Sequence, residues 1–153
     1  MKNGVLRIEK GIAEVVEMAM PEPREGFVVV KVEIAPICIE HRAYETGFKE
    51  WYEDPHTYGH EGVGEIHAIG PGVAGFDIGQ RVIVYQGWAC GDCWVCRRGL
   101  GATHCMNLKG PRDIESYNEA ESGGGGYCQY RLAPVNMLQK LPEDLSYKHA
   151  SAG

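Results

Sequence analysis

Four cysteines fall within sixteen residues, in the stretch CGDCWVCRRGLGATHC that runs from Cys90 to Cys105. Cys90, Cys93 and Cys96 are spaced in steps of three on what reads as one tight loop, and Cys105 follows after eight residues. Zinc at a structural site takes four thiolates in a tetrahedron with no open position. Gly91 lets the backbone turn so that its N–H groups face the sulfurs, and Gly99 and Gly101 allow the return. The spacing therefore predicts a metal-holding lobe, over about 88–110, with Cys90, Cys93, Cys96 and Cys105 as ligands. These cysteines admit two other readings. A mixture of disulfide and free thiols is disfavoured in a reducing compartment. An iron–sulfur cluster is suggested by the Cys-x2-Cys-x2-Cys opening, but that run places its fourth cysteine closer and follows it with proline; Met106 stands here instead. His104, beside Cys105, is a minor alternative donor.

A second candidate lies upstream. Cys38 ends a strand-like run, and His60 and Glu61 sit in the string Gly59-His60-Glu61. A lone cysteine or histidine is more often core or surface than ligand. A zinc ion held with one position open polarises an alcohol or carbonyl oxygen and lowers an alcohol's pKa.

The elements that must position these residues are short strands. The chain of 153 residues is 44% hydrophobic with three tryptophans, enough for one domain with one core. VLRIEKGIAEVVEM predicts a hairpin turning near Gly11, and FVVVKVEIAPI predicts a long β-branched strand ending at Cys38. GVGEIHAIG, QRVIVYQ and YCQYRLAP predict three more, with NMLQKL as a possible further one. Strands at this spacing favour a barrel or sandwich, mainly β with few short helices. Residues 39–47 could form a turn or two of helix, and LSYKHASAG reads as a helix N-capped by Ser146 that stops before it closes. That ending suggests a product cut short.

Composition excludes some partners. The net charge of −6 argues against nucleic acid or an anionic membrane. No apolar run approaches the roughly 20 residues that span a bilayer, and the N-terminus is not of secretory type. A cytoplasmic location is the expectation.

Gly59-His60-Glu61, two residues, Gly64, five residues, Gly70, two residues and Val73 match the pattern that marks zinc-containing alcohol dehydrogenases. With the four cysteines downstream, and with FDIGQRV, GGGYCQYRLAP and KLPEDLS in support, the chain resembles the N-terminal GroES-like catalytic domain of the medium-chain zinc dehydrogenases over nearly all of residues 1–153. The resemblance implies a GroES-like, partly open β-barrel with a zinc-binding loop lobe. It also implies a catalytic zinc on Cys38 and His60, with Glu61 as an outer partner or alternating ligand. The function implied is hydride transfer between an alcohol or polyol and NAD or NADP, in a homo-oligomer. No dinucleotide fingerprint occurs in the 153 residues, so the nucleotide-binding Rossmann domain is expected to be absent from this chain, which alone would be inactive. The third ligand of the catalytic zinc would lie just past Gly153. The structural zinc is accordingly expected to be occupied, and the catalytic one partial or missing.

Two positions depart from the family pattern. Many of these enzymes carry Ser or Thr two residues after the zinc cysteine, then Asp; here Glu40 and His41 stand in those places. Either Glu40 replaces the orienting carboxylate through a one-residue shift, or the protein handles its proton differently. The competing reading from another class is a stand-alone, zinc-stabilised β-barrel that binds a partner without redox chemistry. The glycine run Gly123 to Gly126 lacks phosphate-loop spacing and reads as a turn. Cys128 reads as a buried small hydrophobe, and His56, His67 and His149 as surface or loop residues. Trp51 and Tyr52 could equally line a cleft or pack in the core.

Overall fold

The computed structural model describes residues 2–9, 12–38, 56–57, 59–110, 113–114 and 126–151. The expectations placed on Glu40, His41, Trp51, Tyr52, the turn at 39–47 and Gly123–Gly125 fall outside them. The first hairpin forms as expected: β1 (Lys2–Glu9) pairs antiparallel with β2 (Ile12–Ala19) from Lys2↔Ala19 to Glu9↔Ile12. A two-residue strand, β4 (His56–Thr57), pairs with the far side of β1 and completes a three-stranded sheet. The sequence carried no signal for so short an element.

A five-stranded antiparallel sheet holds the core. It takes β3 (Phe27–Ile34), β5 (Gly62–Ile69), β6 (Arg81–Val84), β7 (Tyr130–Pro134) and β8 (Leu138–Lys140) in the order β7-β3-β5-β6-β8. The first half of β3, Phe27 to Val30, is buried on both faces, and the second half alternates. This explains why four large apolar residues run together there. Val28, Val30, Ile66, Val82, Val84, Ala133 and Met137 form the main cluster, while Phe27, Val29 and Leu132 pack on the opposite face.

Residues 127–129 join the two sheets. Leu6 donates its N–H to the Tyr127 carbonyl (2.8 Å) and Gln129 donates to that of Gly4 (2.9 Å), while Val32 of β3 donates to Gln129 (2.9 Å). One segment thus pairs with β1 on one side and β3 on the other, curling the assembly into a partly open β fold. Asn3, fully buried, reinforces the junction: its side-chain amide donates to the Tyr130 carbonyl (2.8 Å) and accepts the Tyr130 N–H (2.9 Å). The amide stands in for one more residue of backbone pairing.

Among the described residues there are two one-turn α-helices, α1 (Trp94–Arg97) and α2 (Tyr147–Ala150), besides the 3-10 turns Ala102–His104 and Val135–Met137. Ser146 caps α2 as its sequence position suggested, its Oγ accepting the His149 N–H at 3.2 Å. Arg81 holds the approach to α2 by donating to the carbonyls of Pro142, Glu143 and Leu145, and it stacks on Tyr147 at 4.5 Å. The Tyr147 hydroxyl in turn donates to Glu65 at 2.8 Å.

Candidate metal centres

The lobe between β6 and β7 brings its four cysteines together. Sulfur–sulfur distances are 3.4 Å for Cys93–Cys96, 3.5 Å for Cys90–Cys105, 3.6 Å for Cys96–Cys105 and 3.9 Å for both Cys90–Cys96 and Cys93–Cys105. A metal–sulfur bond of ~2.3 Å makes a tetrahedron whose edges are about 3.8 Å. The cluster fits one ion of that size and leaves no room for several irons with bridging sulfide. All four cysteines are free thiols.

Local geometry produces this convergence. Gly91, Gly99 and Gly101 all take positive φ (84°, 67° and 88°), with open space where a side chain would stand. Their role is conformational rather than steric. Cys96 lies on α1, where the sequence reading had only a loop; four residues are too few to show helical periodicity. The N–H of Cys90 donates to the Cys105 sulfur at 3.3 Å. Backbone N–H groups lower the pKa values of two of these thiols, and side chains raise those of the other two. Those of Cys96 and Met106 bring Cys93 down to about 6, and that of Cys90 lowers Cys105. Cys90 is pushed up to about 12, chiefly by a hydrogen bond to the Asp92 carboxylate, and Cys96 is raised by its neighbour Cys93. N–H dipoles aimed at sulfur offset part of the charge that four thiolates would carry. His104 is not part of the cluster; its Nδ1 sits 3.2 Å from the Thr103 hydroxyl. The lobe is closed at its base by Trp88 and Lys109, which exchange N–H···O bonds of 2.8 and 2.9 Å.

The second donor set lies at one end of the large sheet. Ile34, the last residue of β3, pairs with Val63 near the start of β5. Cys38, four residues past that strand, and His60 and Glu61, just before β5, therefore leave the sheet at the same end. His60 Nε2 and Glu61 Oε1 are 3.8 Å apart, and both side chains are about one-third exposed (31% and 39%). Among the described residues, only the four cysteines form a cluster of three or more converging ligand atoms; Cys38 is not drawn into one with His60 and Glu61. Glu61 borders a cavity of about 20 Å³, room for one water, which Pro36, Tyr85, Ala150 and Ser151 also line. The end of α2 thus reaches the same corner as Glu61.

The His60–Glu61 corner is tightly held from below. Gly59 has φ 86° and accepts the Gly126 N–H at 2.7 Å. A Cβ at position 126 would stand 2.6 Å from the Glu61 carbonyl oxygen, and one at position 59 would stand 2.7 Å from the Tyr127 nitrogen. Gly126, the last residue of the glycine run, is thus a close-packing position. Arg131, only 7% exposed, donates from Nη1 to the His60 carbonyl at 3.1 Å. Sequence reasoning missed this contact; its one trace is a charged residue set in the otherwise apolar run RLAP. Cys128 is half-buried, and burial pushes its thiol up to about 12, in keeping with a packing role. His67 is exposed on β5, edge-on to Tyr130.

Residues 24–143 match the family model described as the alcohol dehydrogenase GroES-like domain. The chain is 33% identical over 144 residues to L-threonine 3-dehydrogenase of Pyrococcus horikoshii, covering 91% of this chain and 38% of that protein. It is 39% identical over 142 residues to acryloyl-coenzyme A reductase of Metallosphaera sedula, covering 93% and 40%. Among solved structures, galactitol-1-phosphate dehydrogenase from Escherichia coli superposes with a TM-score of 0.70 at 27% identity, covering 99% of this chain and 41% of that one. The chain thus spans about two fifths of the length of these relatives.

Proposed function

From the premise that the chain belongs to the alcohol dehydrogenase GroES-like domain family, we propose that residues 1–153 are the catalytic domain of a zinc-dependent oxidoreductase. It would transfer hydride between a small alcohol or polyol and NAD or NADP, the nucleotide being bound by a separate domain. The observation that carries this reading is the shared exit of Cys38 and the His60–Glu61 corner from one end of the β3–β5 pair. Bound there, zinc supplies Lewis acidity to the substrate oxygen, and a nicotinamide supplies the hydride acceptor or donor.

The chain's own residues divide the remaining work. Cys38 and His60 would offer one soft and one borderline donor, and Glu61, its Oε1 3.8 Å from His60 Nε2, would serve as an outer partner or alternating ligand. A second zinc on Cys90, Cys93, Cys96 and Cys105 has no open position, so its part is to hold the lobe together. The relatives' names differ in substrate, from L-threonine to a coenzyme A thioester, and the alcohol or polyol assignment follows the larger share of them. The same reading takes a cytoplasmic homo-oligomer with neither nucleic acid nor membrane as partner. The net charge of −6 supports the last point, and no helix among the described residues is long and apolar enough to cross a bilayer.

Titration of the metal-free protein with cobalt(II) tests the site. Two equivalents are expected: a first, tight one with the intense charge-transfer bands of a tetrathiolate, and a second, weaker one. Cys38→Ser and His60→Ala should abolish the second and spare the first; a second equivalent that survives both substitutions overturns the assignment. We also assign Glu40 a place in the proton path. Glu40→Gln in the enzyme containing this chain should lower the rate and shift its pH profile, and an unchanged rate and profile would remove Glu40 from any proton role.

A further inference from the structure

Arg131 is a charged side chain with 7% of its surface exposed, on a strand whose next three residues, Leu132, Ala133 and Pro134, are all buried. Burying a guanidinium is costly unless its donors are used. One of them reaches 3.1 Å to the carbonyl oxygen of His60, seventy-one positions away in the chain. Beside it, Gly126 lies against the same two residues so closely that a Cβ would stand 2.6 Å from the Glu61 carbonyl oxygen and 3.0 Å from the His60 nitrogen. The Gly126 N–H is spent on the Gly59 carbonyl at 2.7 Å. The backbone of Gly59–Glu61 is therefore held by one charged donor, one neutral donor and one steric floor. All three come from the segment 126–131, which also ties β1 to β3.

We propose that Arg131 and Gly126 are positioning residues for the His60–Glu61 donor pair, an inference that rests on the metal reading of that pair given above. A peptide with its carbonyl pinned has its ψ set, and this fixes where the following Cα and side chain point. A carbonyl bonded to a cation also polarises its peptide group. Outer partners that set a ligand's orientation typically change metal affinity by about 10–100-fold when removed. Arg131 does so through the backbone rather than through the imidazole ring. Lysine can supply one charged donor of similar reach, whereas methionine fills much of the volume and donates nothing.

The test compares Arg131→Met, Arg131→Lys and Gly126→Ala with the unaltered protein in the cobalt titration, together with the carbonyl 13C resonance of His60. Arg131→Met and Gly126→Ala should weaken the second cobalt equivalent about tenfold or more and alter its d–d bands. The tetrathiolate equivalent should be unchanged, which also shows that the protein is folded. Arg131→Lys should recover most of the affinity, a rescue that loss of packing alone would not allow. Equal second-site affinity in Arg131→Met and the unaltered protein overturns the proposal. If the unaltered protein takes up one equivalent only, the second site is too weak in this chain to be titrated, as a ligand expected past Gly153 allows. The positioning claim is then decided by the His60 carbonyl resonance: movement in Arg131→Met and recovery in Arg131→Lys support it, and an unmoved resonance overturns it.

Discussion

Cys93→Ser is expected to remove one equivalent of tightly bound metal and to unfold residues 90–110 while the five-stranded sheet stays intact. The lobe has little else to hold it. Val95 is its one buried apolar side chain among the described residues, whereas Trp94, Leu100, Met106 and Leu108 are 57%, 52%, 71% and 42% exposed. Arg98 stacks on Trp94 at 4.0 Å, but at the surface such a contact contributes about 0.5–1 kcal/mol. The two hydrogen bonds between Trp88 and Lys109 close the base without reaching the cysteines. Three glycines at positive φ have many conformations to lose on folding. By contrast, apparent zinc affinities of structural sites in small peptides are of order 10–16 kcal/mol and appear as folding free energy. Removing one of four ligands should forfeit several of those kilocalories. Hydrogen exchange read by mass spectrometry should show lost protection across 90–110 and retained protection in β3 and β5. Full protection of the lobe in Cys93→Ser would contradict this account. A strong chelator should reproduce the same pattern in the unaltered protein.

Gly64→Ala should destabilise the whole domain by at least about 3 kcal/mol, the upper range for forced overpacking. Gly64 lies in mid-β5, paired with Val32, beside an irregularity in the β3–β5 register. Its φ is not positive, so backbone freedom is not the reason for glycine. A Cβ there would overlap the Lys31 carbonyl oxygen and stand 3.1 Å from the Val32 Cα. Both belong to the backbone of β3, which β5 and β7 hold from either side, so neither can move aside cheaply. Gly75→Ala makes the control. Gly75 has φ 80° and nothing within 4 Å, so its cost should be about 1 kcal/mol, that of a left-handed conformation alone. Urea unfolding of the two variants should separate them by about 2 kcal/mol or more. A Gly64→Ala loss below that of Gly75→Ala would show that the strands can slide apart. Gly70, whose Cβ would overlap the Arg24 carbonyl, belongs with Gly64.

These glycines show where motif reading reaches its limit. The spacing from Gly59 to Val73 identified the family, but it assigned no separate reason to each residue. In the structure Gly59 is needed for its positive φ and its contact with residues 126–127, Gly64 for the β3 backbone, and Gly70 for the carbonyls of Arg24 and Phe27. The same holds for the glycine run at 123–126, read from sequence as a turn: its last member is a packing surface for the donor corner.

What this sequence determined by itself is what short-range chemistry can encode. Four cysteines within sixteen residues, with glycines between them, define a metal lobe because every ligand and every turn is local. β-branched runs bounded by glycine and proline define the strands, and Ser146 defines a helix start, for the same reason. Tertiary structure alone decided that residues 127–129 would join the two sheets, that Asn3 would pair with Tyr130, and that Arg131 would reach His60. Those partners lie 71 to 127 positions apart, and period-2 alternation records only which face a residue takes. Which strand lies opposite it follows from the sheet order β7-β3-β5-β6-β8, a property of the whole chain's packing.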